Sequence, residues 1–152
     1  MEYHSHWCQN IQECEGKENM SRSFKDINER LDYIEFRQDL LFDNSELCRL
    51  IYESEITEDE YKEIMDLMEK MRNRLAYNQQ VSHAEFEHEM YSIVPNHNGD
   101  YHFCEYIARA FMDDGRWEEV FLALYGDMPK YRHLKGLSLI HISEPTRLAL
   151  IS

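Results

Sequence analysis

The chain has 152 residues, enough for one domain with a single core, and 43% apolar with 12% aromatic residues argues against wholesale disorder. Its 30 Asp and Glu against 16 Lys and Arg give a net charge of −14 with no basic cluster, a field that repels nucleic-acid backbones and anionic membranes. Five Gly and three Pro are too few for a sandwich or barrel, and no apolar run approaches the roughly 20 residues that span a bilayer.

The opening MEYHSHWCQN lacks the basic start and apolar segment of a secretory signal, so the expected compartment is the cytoplasm. There Cys8, Cys14, Cys48 and Cys104 are expected as free thiols. Residues 1–19 are expected to be an upstream or disordered segment. Glu15-Gly16-Lys17-Glu18 can be written in purine-only codons, like a ribosome-binding site ahead of Met20. A single helical domain is expected over 20–136.

Phe24, Ile27, Leu31, Ile34, Gln38 and Leu41 follow a 3-4 spacing, the seam of a heptad helix that packs along its length on another helix. Gln38 interrupts that seam and either sets register or lies at the solvent edge. Phe42-Asp43-Asn44-Ser45 then supplies turn and cap residues for a short helix with Leu47, Leu50 and Ile51 inward, and Cys48 lies on or beside that face. Thr57 and Glu60 form a capping box flanked by Ile56 and Tyr61, and the helix they start runs to about Tyr77. Tyr61, Ile64, Met68, Met71 and Leu75 make its apolar stripe. Ser82 and Glu85, flanked by Val81 and Phe86, repeat the grammar for a helix to about Val94. After the break at Pro95–Gly99, Asp100 caps a helix that ends at Gly115. Trp117 to Tyr125 completes a helical hairpin. The expected fold is all-α: five to six helices in a compact bundle, heptad-like first, hairpin last.

ERLDYI at Glu29, ITEDEYKEIMDLMEKM and FCEYIARAFMDDGRWEEVFLAL resemble, in order and spacing, the YhaI-like family of small bacterial proteins, over about residues 24–128. The family's function is uncharacterised. The resemblance implies a small helical cytoplasmic protein that self-associates, and brings no catalytic signature with it. Further on, residues 137–147, LSLIHISEPTR, resemble a translated sequencing-library adaptor. Residues 137–152 are therefore expected to be an adaptor-derived tail, in which His141 and Ser143 carry no chemistry.

Chemistry-bearing residues are few. His4, His6, Cys8 and Cys14 have zinc-ligand types without a finger's spacing. Glu85-x-x-His88 has the i, i+3 geometry of carboxylate-bridged metal bundles but no second copy within 20–136. His97, His102, Cys104 and Glu105 gather near one turn, yet helix neighbours two apart point to different faces. No nucleotide-binding or hydrolase motif occurs. No cofactor is expected, and no catalytic residue is assigned. The leading expectation is a homo-oligomer acting through protein–protein contact, with Phe24, Ile27, Leu31, Ile34, Gln38, Leu41, Trp117 and Phe121 as interface. The alternative is a metal-binding protein or metal-dependent enzyme built on Glu85 and His88. A nucleic-acid regulator would need a basic face hidden in the acidic average.

Overall fold

Four short polar residues set where helices begin. Ser45 Oγ accepts from the Cys48 N–H at 3.2 Å, Thr57 Oγ1 from Glu60 at 3.2 Å, Ser82 Oγ from Glu85 at 3.3 Å, and Asp100 Oδ1 from Phe103 at 3.1 Å. Each satisfies an amide that the helix cannot pair internally, which is worth about 1 kcal/mol. The computed structural model describes residues 22–136. The expectations for residues 1–19, with His4, His6, Cys8 and Cys14, and for 137–152 lie outside the described residues.

Within 22–136 the fold is all-α, with no strand among the described residues. The helices are α1 (Ile27–Asp43), α2 (Glu46–Glu53), α3 (Glu58–Ala76), α4 (His83–Ile93), α5 (Tyr101–Asp113) and α6 (Glu118–Tyr125). Single 3-10 turns stand at Pro95–His97 and Pro129–Tyr131, and helical backbone resumes over 132–136, one stretch more than five or six. The links turn through left-handed residues: Asn44, Glu55, Asn78, Gly99, Gly115 and Trp117 all have positive φ. Gly115, at φ +79°, closes α5 as its sequence position predicts.

Packing divides the chain after Glu35. In the first unit, Asp26 Oδ1 accepts from the Glu29 N–H at 2.8 Å, and Glu29 Oε2 accepts from the Lys25 N–H at 2.6 Å. This reciprocal cap starts α1 at Ile27, so Phe24 precedes the helix instead of belonging to it, and its ring lies 5.2 Å from that of Tyr33.

The second unit, from Phe36 onward, holds the core. α3 packs against α4 and α6, while α5 packs against α2, α4 and α6. Ile64, Met68 and Met71 from α3, Phe86 and Met90 from α4, Ile107 and Phe111 from α5, and Val120 and Phe121 from α6 are all fully buried. Each such side chain contributes about 1.5–3 kcal/mol by leaving water. The methionines of α3 thus fill core space. Cations on α3 reach acids on its neighbours: Lys70–Glu89 at 2.7 Å, Arg74–Glu85 at 2.8 Å and Arg72–Glu119 at 2.7 Å.

Candidate functional site

The heptad residues of α1 lie in water. Ile27 is 66% exposed, Leu31 49%, Ile34 49% and Leu41 54%, and Phe42 next to Leu41 is 93% exposed. Gln38 is exposed among them. The 3-4 spacing keeps the heptad set along one side of the helix. In the second unit a different side of α1 faces the core. Leu40 is buried, the Phe36 ring lies 6.1 Å from Tyr61, and the Arg37 guanidinium sits 3.7 Å over the Tyr52 ring. From Phe36 onward α1 gives Leu40 to the core, with Phe36 and Arg37 half-buried, and leaves Leu41 and Phe42 exposed.

The other expected interface residues are placed differently. Phe121 is a correction: it is fully buried, 5.1 Å from the Tyr131 ring and 5.7 Å from Tyr125, so it has no surface to offer a partner. The reason is that α6 faces three helices at once, and an aromatic at its centre has only core around it. Trp117 is half-buried; its indole N–H donates to Glu69 at 2.8 Å and its ring meets Phe111 edge-on at 5.0 Å. These contacts hold it in a left-handed conformation that costs a non-glycine residue about 1–2 kcal/mol.

Glu85 and His88 are both exposed. The Glu85 carboxylate reaches across to Arg74, and only the Ser82 half of that expected capping box forms as a hydrogen bond. Among the described residues, no three His, Cys, Asp or Glu side chains converge in a way that could hold a metal ion.

The residues around the Gly99 turn disperse. His97 stacks on Phe103 at 4.2 Å, with Nε2 at 2.8 Å from the Ser54 carbonyl, and so ties the α4–α5 link to the end of α2. His102 is exposed against Tyr101 and Tyr106. Cys104 is fully buried; burial, then the charges of Glu87 and Asp100, push its thiol up to about 12. A thiol held so firmly protonated is no nucleophile at neutral pH.

Glu105 is 2% exposed, the one charged residue buried among those described. Its Oε1 accepts from the Tyr131 hydroxyl and lies 2.5 Å from Lys130 Nζ. Burial alone would raise this carboxyl, but hydrogen bonds from Lys130 and Tyr131, with the charge of Lys130, outweigh it and hold it below the usual range. Beside it opens a shallow groove of about 340 Å³ between α2 and α5, edged by Arg109, Tyr106 and Tyr131. A second buried hydroxyl, Tyr125, donates to Glu87 at 3.1 Å. Among the described residues no buried side-chain N or O atom lacks a hydrogen-bond partner.

The sequence missed this node. α5 buries Phe103, Cys104, Ile107, Ala108 and Phe111 along with Glu105, while Tyr101, His102 and Tyr106 on the same helix stay exposed. That burial was visible in the apolar run; Tyr131, 26 residues further on, carried no periodic link to it.

Fold and surface together define a class: an all-helical domain with a satisfied interior and an apolar helix side turned outward. Comparison with family models, curated proteins and solved structures finds no match to this chain.

Proposed function

We propose that this protein acts in the cytoplasm through protein–protein contact, as a homo-oligomer joined along α1, in the manner of the YhaI-like proteins that its sequence resembles. The observation that carries the reading is the outward apolar set Ile27, Leu31, Ile34 and Leu41 at heptad spacing, extended by Phe42. One isolated apolar side chain on a surface needs no explanation, but a heptad row of them is the pattern that a like helix covers. No helix among the described residues is long and apolar enough to cross a membrane, so a bilayer-spanning role for α1 is not part of the reading.

Analytical ultracentrifugation tests it. The wild-type chain is expected to sediment as an oligomer at micromolar concentration, and Leu31→Asp with Ile34→Asp is expected to yield a folded monomer, since neither side chain belongs to the buried core. A wild-type monomer across the accessible range overturns the reading.

A further inference from the structure

We infer that the α1 helices of two copies pair parallel and in register, an orientation fixed by Gln38 and by an Arg30–Glu35 pair between copies. The inference rests on the self-association proposed above and adds the geometry of the contact. In heptad terms Leu31 and Gln38 occupy the a positions, and Ile27, Ile34 and Leu41 the d positions. Arg30 and Arg37 then fall at g, and Asn28, Glu35 and Phe42 at e. All lie within α1, Ile27–Asp43.

Two features choose the same orientation independently. The first is Gln38. In a parallel, in-register pair each a residue meets its own counterpart, so the two Gln38 amides face each other and can exchange hydrogen bonds. In an antiparallel pair an a residue packs against a d residue, and Gln38 would press an amide onto Ile or Leu with nothing to bond. The second is charge. A parallel pair sets g against the following e of the other helix, which brings Arg30 to Glu35 of the second copy, twice by symmetry. An antiparallel pair sets g against g and gathers arginines. Among the described residues neither the Arg30 nor the Glu35 side chain makes an ion pair within its own chain, and both are exposed. Arg37 is already seated on Tyr52, which leaves Arg30 as the g residue available to a partner.

Charge reversal separates the orientations by sedimentation equilibrium. Arg30→Glu sets Glu against Glu35 in a parallel pair and is expected to weaken dimerisation about tenfold, while adding Glu35→Arg restores it. In an antiparallel pair the same single change relieves arginine repulsion and tightens the dimer. A second test needs no change of charge. In a chain carrying Cys8→Ser, Cys14→Ser and Cys48→Ser, Gln38→Cys is expected to form an intermolecular disulfide on mild oxidation, because only the parallel register brings the two sites together. A wild-type dimer that tightens with Arg30→Glu, ignores it, or fails to cross-link at position 38 overturns the parallel pairing and leaves self-association standing. A wild-type monomer overturns both.

Discussion

Cys48 and Cys104 are the same residue type on two helices, and their surroundings give them opposite chemistry. Cys104 has no exposed surface and sits near the negative charges of Glu87 and Asp100, so the thiolate is disfavoured by both desolvation and repulsion. With its thiol at about 12, only on the order of 10⁻⁵ of it is ionised at pH 7. Cys48 is half-buried at the start of α2. Iodoacetamide at pH 8 is therefore expected to alkylate Cys48 in the native protein and to reach Cys104 only after denaturation, as peptide mapping by mass spectrometry would show. Equal labelling of both in the native state would contradict the described burial. The sequence identified both as thiols. It could not say which one was sealed, because the carboxylates that act on Cys104 come from Glu87, on another helix, as well as from Asp100.

Among the helices, starts were legible and cross-connections were not. Thr57, Ser82 and Asp100 cap as their positions predict, and Ser45 is the capping member of the stretch 42–45, since a cap is a bond between residues three apart. The cap made by Asp26 and Glu29 obeys the same local rule, but the heptad seam drew the boundary back to Phe24. Lys70, Arg72 and Arg74 each reach an acid on a neighbouring helix, a choice made only by packing. Such exposed pairs add little, about 0–1 kcal/mol each. The buried carboxylate of Glu105 is different, for it anchors the 3-10 turn at Pro129–Tyr131 to α5. Losing the charged acceptor for the Tyr131 hydroxyl in Glu105→Gln is expected to cost about 1.5–3 kcal/mol in urea unfolding. The pH dependence follows from the depressed carboxyl. Its contribution is complete above the ordinary glutamate value of about 4.3 and is lost as pH falls through the lower folded value. Lys130 is raised by its hydrogen bond to Glu105, so its share is present below about 10.4 and is lost as pH rises through the higher folded value. The gap between wild type and Glu105→Gln should therefore be widest between these limits and close in acid. A gap that does not narrow as the pH falls below the ordinary glutamate range would assign the loss to packing instead of charge.

For the molecule as a whole, the sequence conveyed the all-helical class and the hairpin of α5 and α6, both written in short-range periodicity. It could not separate an apolar residue bound for the core from one left outside. Phe121 and Leu31 look alike in a string of letters, yet one is fully buried and the other 49% exposed. α1 shows the difficulty at full length, for its seam reads as a packing surface and yet Leu40, outside the seam, is its one buried residue.

The proposed pairing along α1 would tie durability to abundance. Each copy that docks would shield this stretch of another, so the chain should melt at a higher temperature, and resist trypsin at Arg30 and Arg37 for longer, as it is concentrated. Melting and digestion curves that superimpose over a hundredfold dilution through the dissociation constant would deny that link. Where the link holds, crowding among its own kind preserves this protein, and scarcity hands it to proteases.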